Sequence, residues 1–436
     1  MVRRSEKKSC DLVEMVYSAC TSWLKDWIEA ERVVLVDEFD LAQWMEQEMK
    51  EATQTFLTYA FKTSKARNDA FLVLRTVFYE HYLFEKELAT QSLRPNVDIV
   101  ARLPNVPQSI QKSAAWHSES RDMLSGHEFG PVCMGPLSER TNVLRKKCTP
   151  EVQPELLTNV GESQTVYLTS EDGKLSSFKW GWRYEPVARQ LFEKIVAEGT
   201  VFDGLGRIRH PTLSRLGASP DGLIMDGPRC GRLVEIKCPP SRVLDGNIPI
   251  HYYCQMQLQA EVCDADAVEY IEVQFGACPQ EQVSTDILAK GKQPWIGKVC
   301  VVAETADTPP TQYTYQYSPL FPNTLAGFSE CILWKPEGLI LESSVWYVKD
   351  WFHSTVLRNP RWWNEVGHPA YKEFWEEADL ARTSARFKPV AMFVDSASEG
   401  GTDRVSNDTV VDEDATPTAG TKTKNAKRSV GWIGVE

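Results

Sequence analysis

The chain has 436 residues, with 48 basic and 60 acidic side chains, a net charge of −12, 42% hydrophobic and 25% charged residues. These ordinary proportions exclude a wholly disordered or collagen-like chain and imply two or three domains. The acidic balance excludes polyanion binding by the whole surface, so any nucleic-acid contact must use a local basic groove or bound cations.

No apolar run of about 18 residues suggests a spanning helix, so no membrane is expected. The start, MVRRSEKKSCDL, lacks the apolar stretch of a secretory signal. An intracellular, non-secreted protein is therefore expected. The 11 cysteines are scattered from Cys10 to Cys331 without a C-x-x-C pair. That pattern argues against a zinc ribbon or a disulfide framework, and for buried thiols in a reducing compartment.

Residues 1–95 read as a helical region. Leu12, Val16, Cys20, Leu24 and Trp27 recur at helical spacing, and Phe71 to Leu88 is a second apolar-periodic run without Pro or Gly. Pro95, Pro104 and Pro107 break it. A mixed α/β core is expected over 112–300. Residues 301–392 read as an aromatic-rich, mostly helical extension, with short strand-like runs such as Val299 to Ala303 near its start. Helix is expected from Leu339 to about Phe387, its tryptophans filling a core or covering a sheet rather than stacking on bases. Residues 393–436 are Ser/Gly/Asp/Thr-rich and read as a disordered tail. Its Lys422, Lys424, Lys427, Arg428 cluster reads as solvated, and the Asn407 glycosylation pattern carries no weight without a secretory signal.

Within the core, Pro186 is expected as the first residue of a helix, leaving Glu185 at the helix mouth and Val187, Leu191 and Val196 facing inward. Alone, such a Glu is a dipole-complementing surface residue. Pro220-Asp221-Gly222 is a turn signal, followed by a short strand through Leu223, Ile224 and Met225 and a second turn at Asp226-Gly227-Pro228. Leu233 to Lys237 is a strand. Val234 and Ile236 point one way, so Glu235 and Lys237 project together from the opposite face. An acid and a base inside an apolar strand incur desolvation unless something uses them, although an edge strand with a wet polar face would also account for them. The next stretch, IPIHYYCQMQLQAEV, reads as a helix with Tyr252, Gln255 and Gln259 on one stripe, and AVEYIEVQF as a further strand.

Helix, strand, strand, helix, strand, with a carboxylate, then Asp, then Glu-x-Lys, then a Gln-bearing helix, is the PD-(D/E)xK arrangement. The 14 residues from Asp221 to Glu235 leave room for a hairpin that brings the two carboxylates together. Tyr184-Glu185, Leu216-Gly-Ala-Ser-Pro-Asp-Gly222, Glu235-Ile-Lys-Cys-Pro239 and Tyr252-x-x-Gln255-x-Gln257 resemble the YqaJ-type viral recombinases, relatives of phage lambda exonuclease and of alkaline nucleases of large DNA viruses. Upstream, Trp116 to Gly130 is similar to the family's first motif. The resemblance covers about residues 112–290.

The resemblance implies a restriction-endonuclease-like α/β core, a mixed sheet flanked by helices, carrying added N- and C-terminal helices. It implies a DNA exonuclease that degrades one strand of linear duplex 5′→3′, often as a trimeric ring, feeding a single-strand annealing protein in recombination. If viral, the protein would act in the host cytoplasm or nucleus. Glu185, Asp221 and Glu235 brought together would repel, and their hard oxygens select magnesium or manganese. Lys237 is placed to orient water and offset phosphate charge. The resemblance adds Gln255 as a holder of lysine and water and the Ile236 carbonyl as a metal ligand. It assigns Trp116, Ser125, Tyr252 and an arginine to the DNA end. Ser120 occupies the family's arginine position, which leaves Arg121, one residue on, for the 5′-phosphate. Pro211 stands where some relatives carry a second aspartate, which favours a one-metal mechanism. An endonuclease and a non-catalytic DNA-binding protein of the same fold remain alternatives. An iron–sulfur relative would need closer spacing than Cys263, Cys278, Cys300 and Cys331 provide.

Overall fold

A computed structural model describes residues 61–111, 113–148, 175–309 and 312–384, with a few positions before 61. The Leu12–Trp27 stripe mostly lies outside these residues, as does the tail. Helix α1 (Ser64–Ser92) contains the whole Phe71–Leu88 run and is capped by Thr63, whose hydroxyl accepts the Ala66 N–H. It stops short of Pro95. Next come α2 (Val97–Arg102), β1 (Gln108–Ser109), α3 (Ala114–Glu119), α4 (Gly126–Cys133), α5 (Leu137–Cys148) and α6 (Ser177–Phe192). Strands β2 (Val201–Phe202), β3 (Arg207–Arg209), β4 (Gly217–Ala218), β5 (Gly222–Ile224) and β6 (Leu233–Lys237) precede helix α7 (Ile250–Cys263). Then come β7 (Ala267–Pro279), β8 (Trp295–Ala303), β9 (Thr314–Tyr317), β10 (Phe321–Pro322), α8 (Leu325–Leu333), β11 (Leu339–Leu357) and α9 (His368–Thr383).

The main sheet runs β10-β8-β11-β7-β6-β5-β2, with β9 also on β8. Among the described strands, only β6 and β7 pair in parallel, and α7 is their crossover. A right-handed crossover helix is the usual way to return a chain to a parallel neighbour. Strand β6 therefore lies inside the sheet, which removes the edge-strand account of Glu235 and Lys237. Val234 and Ile236 pack with Tyr184, Val187 and Leu191 of α6. Leu233 joins the other core, with Tyr253, Met256 and Leu258 of α7. The expected mixed α/β core is present, with a helix on each face.

Two expectations are corrected. Helix α6 begins at Ser177 behind its cap Ser176, so Pro186 lies inside it and Glu185 is a mid-helix residue. The inward stripe already runs through Trp180 and Tyr184 before the proline, and that continuous apolar face outweighs one missing backbone N–H. The region 339–357 is a 19-residue strand, not a helix. Strand β11 pairs with β7 from Ser344 to Leu357 and with β8 from Leu339 to Tyr347. Its residues alternate between faces: Trp346 and Val348 on the α6 side, Val345 and Tyr347 in a separate cluster with Ile296 and Cys331. Residues 301–392 thus share the core's sheet, and helix resumes only beyond Asn359. Of the aromatic residues there, Trp346, Trp362, Trp363 and Trp375 are buried in the cores, as expected.

Candidate active site

Asp221 sits where the chain enters β5, across from β6. Its backbone N–H donates to Val234 O at 3.1 Å, and its Oδ2 accepts the Ile236 N–H at 2.8 Å. The hairpin expected from the 14-residue spacing therefore does bring the two acids to adjacent strands. Glu235 is fully buried on the α7 face of β6. Lys237 pairs with its Oε1; Gln255 Nε2 donates to the same oxygen at 2.6 Å, and Gln259 Nε2 donates to Oε2 at 2.6 Å. The Lys237 ammonium also lies 4.9 Å from the centre of the Tyr252 ring. Glu185 lines, with Asp221, Ile236, Gln111, Arg189 and Tyr317, a cleft of about 390 Å³.

The electrostatics follow from this crowding. Burial, then the negative charges of Glu235 and Glu185, push the Asp221 carboxyl well above the usual range, only partly countered by Lys237 and the Ile236 N–H. Burial alone would lower the Lys237 ammonium, but Glu235 and Asp221 outweigh it and hold it above its ordinary value. Glu272 stands opposite Lys237 in the β6–β7 register, yet it is ion-paired to Arg242 and accepts the Tyr270 hydroxyl at 3.0 Å. Its charge is thereby diverted from the cluster.

In kind, the donor set suits a hard divalent cation: Asp221, Glu235, Glu185 and the Ile236 carbonyl are all oxygens, and Asp221 carries unrelieved repulsion. In arrangement, both Glu235 oxygens are held by protein donors, and no group of three His, Cys, Asp or Glu poised around one ion occurs among the described residues. Oε1 already accepts two donors, whereas Oε2 accepts one and keeps a lone pair that an ion could use.

The upstream motif is tied to this centre through its frame. Trp116 Nε1 donates to Ser219 Oγ at 3.3 Å, in the turn that carries Asp221. Its ring bears the Arg207 guanidinium at 4.2 Å, and Arg207 Nη1 donates to its carbonyl at 2.6 Å. Ser125 caps α4: its hydroxyl and backbone N–H both donate to Glu128 Oε2, at 3.0 and 3.2 Å. Glu128 in turn is paired with buried Lys147 at 2.6 Å. Helix α4 crosses α7 so closely that a Cβ at Gly126 would lie 2.8 Å from Gln255 Cγ. Arg121 is not among the residues lining the cleft. It occupies the turn Ser120–Asp122, its carbonyl accepts from Arg382 at 3.0 Å, and its Nε is buried without a hydrogen-bond partner. Gln259, on the stripe with Gln255, is the residue the motif did not assign.

A mixed sheet with a parallel β6–β7 unit, crossed by a glutamine-bearing helix and carrying Asp and Glu-x-Lys on adjacent strands, is a restriction-endonuclease-like core. Residues 115–266 match the model of the YqaJ-like viral recombinase domain, and this part of the chain is a domain of that family. No curated protein matches the sequence. Among solved structures, the chain is similar to an alkaline exonuclease (LHK-Exo) from Laribacter hongkongensis, at 16% identity and TM-score 0.34, over 63% of this chain and 96% of that one. LHK-Exo in complex with dAMP gives 17% identity and TM-score 0.31, over 63% and 99%.

Proposed function

We propose that the chain is a magnesium- or manganese-dependent exodeoxyribonuclease that shortens linear duplex DNA from its ends. One observation supports this above the rest: the repelling carboxylates and a lysine, drawn from adjacent strands, converge beside an open cleft. Asp221, Glu235, Glu185 and the Ile236 carbonyl would hold the ion. Such an ion supplies a water of lowered pKa and neutralises phosphate charge. Lys237 orients the attacking water and offsets charge growing on the phosphate, while Gln255 keeps Glu235 in place. The family domain supports a role in recombination; the further reading is that the chain works inside the cell with 5′→3′ polarity, as a trimeric ring, with a single-strand annealing partner. Trp116, Ser125 and Tyr252 would frame the DNA end, with Arg121 as the candidate for its 5′-phosphate.

The test is end-labelled linear duplex, with and without a 5′-phosphate, alongside a closed circle, in magnesium and in chelator. Shortening of the linear substrate alone, lost in chelator and in Glu235→Ala and Lys237→Ala, is expected. Activity surviving in chelator or in both variants would refute the reading, and cutting of the circle would replace it with an endonuclease.

A further inference from the structure

We propose that Gln259 is a positioning residue for Glu235, fixing the second oxygen of the carboxylate that Lys237 and Gln255 hold at the first; the inference rests on the nuclease reading. Helix α7 carries two deeply buried glutamines, Gln257 (2% exposed) and Gln259 (1%), and they are used differently. Gln257 is satisfied at both ends by backbone: its Nε2 donates to Leu357 O at 2.8 Å, and its Oε1 accepts the Asn359 N–H at 2.8 Å. It stitches α7 to the end of β11. Gln259 gives its Nε2 to Glu235 Oε2, and its Oε1 is buried with no hydrogen-bond partner.

An ionised carboxylate only accepts, so the amide must turn its NH2 toward Glu235 and strand its oxygen in the core. A stranded buried acceptor is destabilising. Leucine or methionine would fill that space without it but would leave the buried Glu235 Oε2 without its donor, so the amide is there for Glu235. A buried acceptor left stranded to serve one carboxylate marks a functional position. What the amide supplies is geometric. Donors on both oxygens stop the carboxylate rotating about its last bond, so Glu235 presents one fixed edge to the Asp221 side of the site. The helical repeat explains why these residues act together: Gln255 and Gln259 are four apart, one above the other on the same face.

The experiment compares Gln259→Met, with Gln259→Leu as the second variant should the first not fold, against Gln257→Met in the full chain. It reads kcat and KM on linear duplex, thermal midpoint, and manganese binding by calorimetry without DNA. For Gln259→Met the expected result is an unchanged KM, a kcat lowered about 10-fold, manganese bound about 10-fold more weakly, and a thermal midpoint close to wild type, the relief of the stranded oxygen offsetting the donor lost to Glu235 Oε2. Gln257→Met is expected to lose thermal stability while the folded fraction keeps its kcat. Wild-type kcat and manganese affinity in a folded Gln259 variant would overturn the inference while leaving the nuclease reading intact. So would a kcat that falls only in step with folded protein. Absence of both cleavage and manganese binding in the wild-type chain would overturn the nuclease reading, and this inference with it.

Discussion

Asp221 Oδ2 accepts the N–H of Ile236 at 2.8 Å, so the carboxylate on one strand is seated by the backbone of the next. An amide oxygen can accept that same hydrogen bond. Asp221→Asn should therefore fold normally, yet lose at least about 100-fold in nuclease activity, because the charge and not the seat is removed. Its stability has a definite sign. The folded-state carboxyl titrates above its ordinary 3.8, so ionisation costs folding free energy, and that cost sets in as pH rises above about 3.8. In chelator, Asp221→Asn should be more stable than wild type at neutral pH, with the gain fading as pH falls toward 3.8. Denaturant melts across pH would show it; a variant less stable at neutral pH would contradict it.

Lys237 and Glu235 form a half-buried pair, so removing the ammonium leaves a carboxylate with only its two glutamine donors. Lys237→Met should cost activity by at least about 100-fold and stability by about 1–3 kcal/mol. Activity on end-labelled duplex and a urea melt check the two effects separately.

Gly130 stands where α4 meets α7, and an added Cβ would lie 2.7 Å from His251 Cα. Backbone cannot step aside as a flexible side chain can. Gly130→Ala should destabilise the chain by about 1–3 kcal/mol through overpacking. Activity should fall too, since α7 carries the glutamines that hold Glu235. A thermal midpoint equal to wild type would show that the helices separate without cost.

Glu269 is buried on β7 beneath Arg232 at 2.8 Å, His353 at 2.7 Å and Thr355 at 2.9 Å. Burial opposes its ionisation, but His353 and Arg232 more than compensate and hold the carboxyl down to about 2. A depressed acid stabilises the fold above its unfolded value of 4.5 and loses that contribution as pH falls toward 2. Glu269→Gln should thus be less stable than wild type at pH 6, and the gap should close between about pH 4.5 and 2. A constant gap across that range in denaturant melts would count against the network.

How much of this was legible in the residues depended on the reach of each signal. Strand β6 was readable to the residue, because alternation and the turns flanking it are local. The meeting of Asp221 with Glu235 was readable because a hairpin of fixed length leaves little freedom. Helix α6 was mis-started because Pro186 is a strong local signal, whereas the stripe through Trp180 and Tyr184 becomes visible only against the sheet it packs on. Strand β11 was misread because tryptophans spaced along 346–375 mimic a helical face. What makes it a strand, two partners up to 90 residues upstream, is tertiary. Gln259 was visible on the right stripe, but nothing local separates it from Gln257; only the partner of each amide does.

The pairing of β11 has a practical consequence for anyone dissecting the chain. The stretch matched to the recombinase family ends at 266, yet β7, beside β6, finds its other neighbour only at 344–357. A fragment cut anywhere before Leu339 would leave thirteen residues of apolar ladder with bare amides and carbonyls, an invitation to pair with other copies. Such truncations should come out as insoluble aggregate, however complete their motif.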